Sequence, residues 1–200
     1  MTDNFVIGRV LRASTRGFDC GTHSRNISDY HDFGAFVKAP IANSTHTHAI
    51  GLIYKIEIKD DQLISELVLG EAMPDSVLRD QRENRMIPVE VKVLNVGYMS
   101  GSTIIQSLPP RPPMSLSDVT LCNAEEVHYF TQQHDFYRLI IGASEVPSDD
   151  LLAAAIRYAS QVYPDEGSRY SYMVQSGRQV AHDLAHDLKR LTHVLNLIRP

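Results

Sequence analysis

Pro88-Val89-Glu90-Val91-Lys92-Val93-Leu94-Asn95-Val96 decides the fold class of the first part of the chain. Val89, Val91 and Val93 alternate with Glu90 and Lys92, the period of two that gives a strand one buried and one wet face. Its neighbours read the same way: Phe5–Leu11, Phe36–Ala39, Ile50–Ile58 and Leu63–Leu69 are short runs rich in Val, Ile, Leu and Tyr. Turn-forming residues separate them, among them Ser44-Thr45, Asp60-Asp61 and Ser100-Gly101-Ser102. Many short strands with turn signals between them predict a small barrel or sandwich up to about residue 125.

The punctuation then changes. Leu108-Pro109-Pro110-Arg111-Pro112-Pro113 lacks backbone donors at four positions, so it reads as an extended, stiff connector rather than a ladder strand. Pro-rich segments of this form also serve as ligands of aromatic grooves, but one short stretch favours the connector. Beyond it, Asn123 is placed to cap a helix over Ala124–Gln133, and Ser148-Asp149-Asp150 gives a capped, acidic start to a helix over Leu151–Val162. Pro164 ends that helix, and a longer one is expected from Asp165 or Ser168 to Ile198. Val180, Leu184, Leu188, Leu191, Leu195 and Ile198 recur on it every three or four residues, as one apolar stripe requires. The stripe packs either on the rest of the chain or on a second chain. The expected architecture is therefore α+β: a β-barrel over residues 1–125, then a helical extension over 126–200 with one long amphipathic helix.

Composition narrows the function classes. The 200 residues carry 19 Lys+Arg against 24 Asp+Glu, with 43% hydrophobic and 22% charged residues, which places the chain among ordinary globular proteins. No apolar run approaches the ~20 residues of a membrane-spanning helix, and Met1–Arg9 lacks the pattern of a signal peptide, so a cytoplasmic protein without membrane contact is expected. Cys20 and Cys122 are too few for a disulfide framework or a thiolate zinc site.

A search for chemistry finds little. None of the five lysines follows a glycine, so no Walker-type phosphate loop exists, and neither Gly-x-Gly-x-x-Gly nor Gly-x-Ser-x-Gly occurs in the chain. No cofactor is implied, and an enzyme is the less favoured class. The most conspicuous titratable cluster is His182, His186 and His193, whose imidazoles fall within about 40° of one another on a continuous helix. Spacing i, i+4 can place two imidazoles on one metal ion, but a third ligand and a dry pocket are also needed, so a solvated or interfacial face outweighs a metal site. His46 and His48 share a strand face without a third ligand. Cys20 with His23 has the residue types of a thiolate–imidazole pair but no orienting group. Arg79, Arg82 and Arg85 form a nucleic-acid contact only if assembly concentrates them, because Asp80 and Glu83 dilute their charge.

Several segments taken in order carry a resemblance. Ile7-Gly8-Arg9-Val10 with Ser14-Thr15, Phe33-Gly34-Ala35-Phe36-Val37, Ile50-Gly51-Leu52-Ile53-Tyr54, Val89–Tyr98, and the exit through Leu108–Pro113 to Asp118–Cys122 together resemble the HAS-barrel. This is the small N-terminal barrel of HerA-type DNA-translocating ATPases, related to the barrel of rotary ATP synthase subunits. The resemblance covers roughly residues 5–130 and departs from the family afterwards, since helix follows where the ATPase core would stand. It implies ring formation and partner docking and carries over no catalytic residue. The expected function is thus a non-enzymatic adaptor or assembly subunit that docks onto a separately encoded HerA-type ATPase or onto itself, through the barrel and the stripe Leu184, Leu188, Leu191 and Leu195. The alternatives are a metal-binding enzyme or sensor using the three histidines, and a nucleic-acid-binding accessory protein.

Overall fold

The computed structural model describes residues 5–24, 27–44, 46–58 and 88–199. The expected strand Leu63–Leu69, the turn Asp60-Asp61 and Arg79, Arg82 and Arg85 lie outside the described residues. Among the described residues seven strands precede the helices: β1 (Val6–Ala13), β2 (Gly17–His23), β3 (Phe36–Pro40), β4 (Thr47–Ile58), β5 (Pro88–Ser100), β6 (Thr103–Ile105) and β7 (Asp118–Leu121). The order β2-β1-β7-β3-β4-β5 closes through a β2–β5 pairing, so six antiparallel strands form a barrel with no open edge among them. β6 is a short arm hydrogen-bonded to β5 outside the ring.

Strand β2 is absent from the sequence expectation because Gly17, Asp19 and Gly21 are poor strand formers. Its place is fixed by packing: Phe18 and Cys20 are buried in the barrel interior, and a Cβ at Gly17 would sit 2.3 Å from the Val93 carbonyl oxygen. Strand β5 also differs from expectation, since its even-numbered side is not wet. Leu94 and Val96 are buried against helices, and Glu90 is only 6% exposed, held by Arg12 from β1.

Five helices follow: α1 (Ala124–Phe130), α2 (Tyr137–Ile141), α3 (Ser148–Ser160), α4 (Glu166–Asp183) and α5 (Leu188–Ile198). Asn123 caps α1 as its residue type dictates: its Oδ1 accepts from the Glu126 amide at 2.8 Å, and Glu126 Oε2 accepts from the Asn123 amide at 2.9 Å. Asp165 caps α4 through the Ser168 amide. Helix α3 starts at Ser148 itself, after Pro147, so Ser148 does not act as its cap.

The expected single long C-terminal helix is two helices. It breaks at Leu184–Asp187, where Asp187 leaves helical geometry and its carboxylate accepts from the Arg190 amide at 3.1 Å to cap α5. The reversal lets α5 fold back along α3 and α4, which an uninterrupted rod cannot do.

Among the described residues two apolar clusters form the core. One fills the barrel with Ile7, Val10, Phe18, Val37, Ile53, Val91 and Val119. The other lies between the outer wall of β3–β5 and the helices, where Phe36, Ile50, Leu52, Leu94 and Val96 meet Phe130, Phe136, Tyr137, Leu152, Ile156, Val194 and Ile198. Phe36, Phe130 and Phe136 pack edge-to-face or tilted with centroids 5.2–6.0 Å apart, so truncating any one to Ala costs about 3–5 kcal/mol. Helix α3 approaches the chain closely at Gly34, whose φ is +88° and where a Cβ would lie 2.6 Å from the Ala154 methyl. Ala154 is small because that approach leaves no room.

Candidate functional site

The C-terminal stripe is divided by the break between α4 and α5. Leu184 is 3% exposed and closes the core at the end of α4. Leu191 is partly buried against the same cluster, while Leu188 is 71% and Leu195 36% exposed. Within α5 the core-facing residues are Val194 and Ile198; Leu188 shares the outer surface with Lys189, Thr192, His193 and Asn196, and the partly exposed Leu195 lies beside Gly177 of α4. The stripe is thus mainly structural, and Leu188 with Leu195 is what it leaves for a partner.

A second apolar surface lies on the barrel wall that the helices leave bare. Along β1 the odd turn of the ladder points Ile7 and Val10 inward and leaves Val6, Arg9 and Leu11 outside. Next to Val10 stands Leu116, 70% exposed at φ +62°, the left-handed region that leucine rarely adopts. Its conformation is enforced: the Leu116 amide donates to the Val10 carbonyl at 2.9 Å, the Val10 amide to the Ser117 carbonyl at 3.0 Å, and Ser117 Oγ to the Met114 carbonyl at 2.6 Å. At the other end of β1, Phe5 stacks on Tyr30 with centroids 4.2 Å apart, and both are exposed. Between the two ends Arg9 Nε meets Asp118 Oδ1 at 3.2 Å. Sequence reasoning missed this surface, whose only signal is Met114-Ser115-Leu116, an apolar pair directly after the Pro-rich connector.

The connector itself is seated on the barrel. Pro113 bridges Ile41, the Pro112 carbonyl accepts from the Ala42 amide, and the Met114 amide donates to the Pro40 carbonyl. Pro109 and Pro113 are buried, so neither Pro-x-x-Pro pair, 109 with 112 or 110 with 113, offers both rings to an aromatic groove.

The titratable candidates are scattered. His182 sits at the end of α4, His186 in the break and His193 on α5. All three are exposed, with His182 Nδ1 at 3.1 Å from Asp183 and His193 Nε2 at 3.7 Å from Asp150. The i, i+4 geometry that would set His182 beside His186 is lost where the helix ends. Among the described residues no three His, Cys, Asp or Glu side chains gather to hold a metal ion. His46 is exposed, while His48 is half-buried and held below the ordinary histidine range by burial and by Lys38. Lys38 in turn pairs with the capping carboxylate Glu126. Cys20 points into the barrel, where burial pushes its thiol up to about 12, and His23 stands exposed at the strand end. No thiolate forms there at neutral pH. Burial raises the Cys122 thiol as well.

Outside β1, β2, β5 and β4 runs a chain of ion pairs. Arg12 holds Asp19 at 2.8 Å and also Glu90; Lys92 reaches Glu57 at 3.5 Å and Glu90 at 3.9 Å; Lys55 holds Glu57 at 2.6 Å. Glu57 and Glu90 are direct cross-strand neighbours, a repulsive arrangement that the interleaved cations offset. This network stitches the barrel closure. Among the described residues, the cations at this part of the wall, Arg12, Lys55 and Lys92, are each paired with a carboxylate.

These features define the class: an α+β protein built from a closed six-stranded antiparallel barrel, with helices packed on one side and apolar side chains exposed on the other. Compared with known proteins, the chain matches no protein-family model and no curated sequence. No described helix is long and apolar enough to cross a membrane.

Proposed function

We propose that this protein is a non-enzymatic assembly subunit that docks onto a separately encoded HerA-type ATPase. The observation that carries the reading is the pair of separate apolar surfaces on one chain, Leu188 with Leu195 on α5 and the exposed β1 wall around Leu11 and Leu116. A chain with two such surfaces can contact two neighbours. The HAS-barrel resemblance supports the choice of partner, and the closed six-stranded barrel is compatible with it.

The test mixes the purified protein with the HerA-type ATPase of the same organism and sizes the product by chromatography with light scattering. Co-elution that Leu188→Glu and Leu195→Glu weaken by about tenfold or more is expected, as for loss of central apolar anchors. Absence of a complex at about 10 μM of each, near the affinity expected of a specific transient pair, overturns the reading.

A further inference from the structure

We propose that the bare β1 wall binds a second copy of this chain across a two-fold axis that passes beside Arg9 and Asp118. The inference rests on the assembly reading in one respect: it names the occupant of one of the two surfaces and leaves α5 to the ATPase.

An isologous interface must be complementary to itself, because each residue meets the other copy's version of the same patch. The β1 wall meets that condition. It carries one positive and one negative side chain at its centre, Arg9 and Asp118, 3.2 Å apart and both more than half exposed. A two-fold axis beside them sets each Arg9 against the other copy's Asp118, so four charges alternate in sign and sum to zero. The same axis reverses the strand direction. The Phe5–Val6 end of one copy then lies over the Leu11–Leu116 end of the other, which sets a flat aromatic stack with Tyr30 against branched aliphatic side chains.

Preorganisation points the same way. Leu116 is held in a left-handed conformation by its amide's bond to the Val10 carbonyl and by the Val10 amide's bond to the neighbouring Ser117 carbonyl rather than by its own preference, and its side chain belongs to neither core cluster. A leucine that costs backbone strain and stays out of the core fits a contact made outside the chain. The wall lies in a closed barrel, so contact is by side chains and not by addition of a strand.

The experiment measures the mass of the wild-type protein by light scattering between about 1 and 100 μM, a range that brackets ordinary dimer affinities. Twice the 22.4 kDa chain mass is expected at the upper end. Leu116→Gly removes the side chain while suiting the positive φ, so it keeps the fold and is expected to weaken the dimer by about tenfold or more. Arg9→Glu and Asp118→Lys should each be monomeric alone and recover a dimer when mixed, because only the heterodimer restores opposite charges across the axis. A monomer at 100 μM, or a dimer indifferent to Leu116→Gly and unchanged by the single reversals, overturns the proposal. A monomer that still binds the ATPase overturns the dimer alone, whereas a two-fold dimer that binds no ATPase upholds it and overturns only the docking reading.

Discussion

Arg190 of α5 grips the carboxylate of Asp149 in the first turn of α3. Its Nε lies 2.9 and 3.1 Å from the two oxygens, and an Nη reaches one of them at 2.6 Å and Ser148 Oγ at 2.9 Å. This fork is the polar counterpart of the break at Leu184–Asp187: once the chain reverses, a single guanidinium ties the last helix to the start of the Ala-rich one. The pair is about one-third and one-fifth exposed, intermediate between surface ion pairs and buried ones.

Arg190→Ala should therefore destabilise the protein by about 1–3 kcal/mol, because the charge-assisted bonds are bidentate and partly desolvated. Arg190→Lys should recover only part of it, since an ammonium cannot match the planar fork. Equilibrium unfolding in urea checks both, and equal stability of wild type and Arg190→Ala would show that apolar packing alone holds α5.

Gly97 separates β5 from α1. A Cβ there would lie 2.8 Å from the Ile105 carbonyl oxygen and 2.8 Å from the Phe130 ring. Gly97→Ala should cost about 1–3 kcal/mol through overpacking, read as a lowered thermal midpoint. Gly101, at the tip of the β5–β6 hairpin, has open space around it but a φ of +59°. Its replacement by Ala is strained for a backbone reason instead, and Gly101→Asn should be the better tolerated exchange.

Much of this was legible in the sequence, and the failures have physical causes. Short Val- and Ile-rich runs mark β1, β3, β4 and β5, although β4 and β5 prove buried on both faces, and Asn123 announces its cap by residue type, while Asp165 is one of the two starts the sequence offers for α4. β2 is hidden because its glycines answer to tertiary contacts, Gly17 to the Val93 carbonyl and Gly21 to the Leu11 side chain. The break in the C-terminal helix is hidden because Asp187 reads equally as a helical surface residue and as a cap, and only the packing of α5 on α3 decides between them. The surface at Leu116 is invisible for a related reason: a positive φ at leucine is imposed by hydrogen bonds from β1, and nothing local encodes it.

Acid should weaken the fold near neutrality. His134 packs between Tyr137 and Tyr172, with Nε2 3.5 Å from Ser176 Oγ, and burial holds it below the ordinary histidine range, opposed by Asp135 and Asp183. His48 is lowered in the same sense. The unfolded chain binds these protons first, so stability falls as pH drops below the unfolded value of about 6.5 and continues to fall until the folded-state values are passed. Urea midpoints measured from pH 7.5 to 5 should decline, and His134→Gln should flatten part of that decline. A midpoint that rises over the same range would mean that the carboxylates outweigh burial.

The two thiols offer a check on the barrel that needs no mutation. Cys20 faces the barrel interior and Cys122 the helix-covered wall, both are buried, and burial raises both thiols. Thiolate is the reactive form, and neither is accessible in the folded chain. A disulfide reagent at pH 8 should therefore modify neither cysteine in native protein and both after denaturation, with the native rate following the opening of the fold. Because the two lie in different clusters, separate rates would report separate openings, of the barrel for Cys20 and of the helical layer for Cys122. Rapid native labelling of Cys20 would mean that the β2–β5 seam, which closes the ring, is not formed in solution.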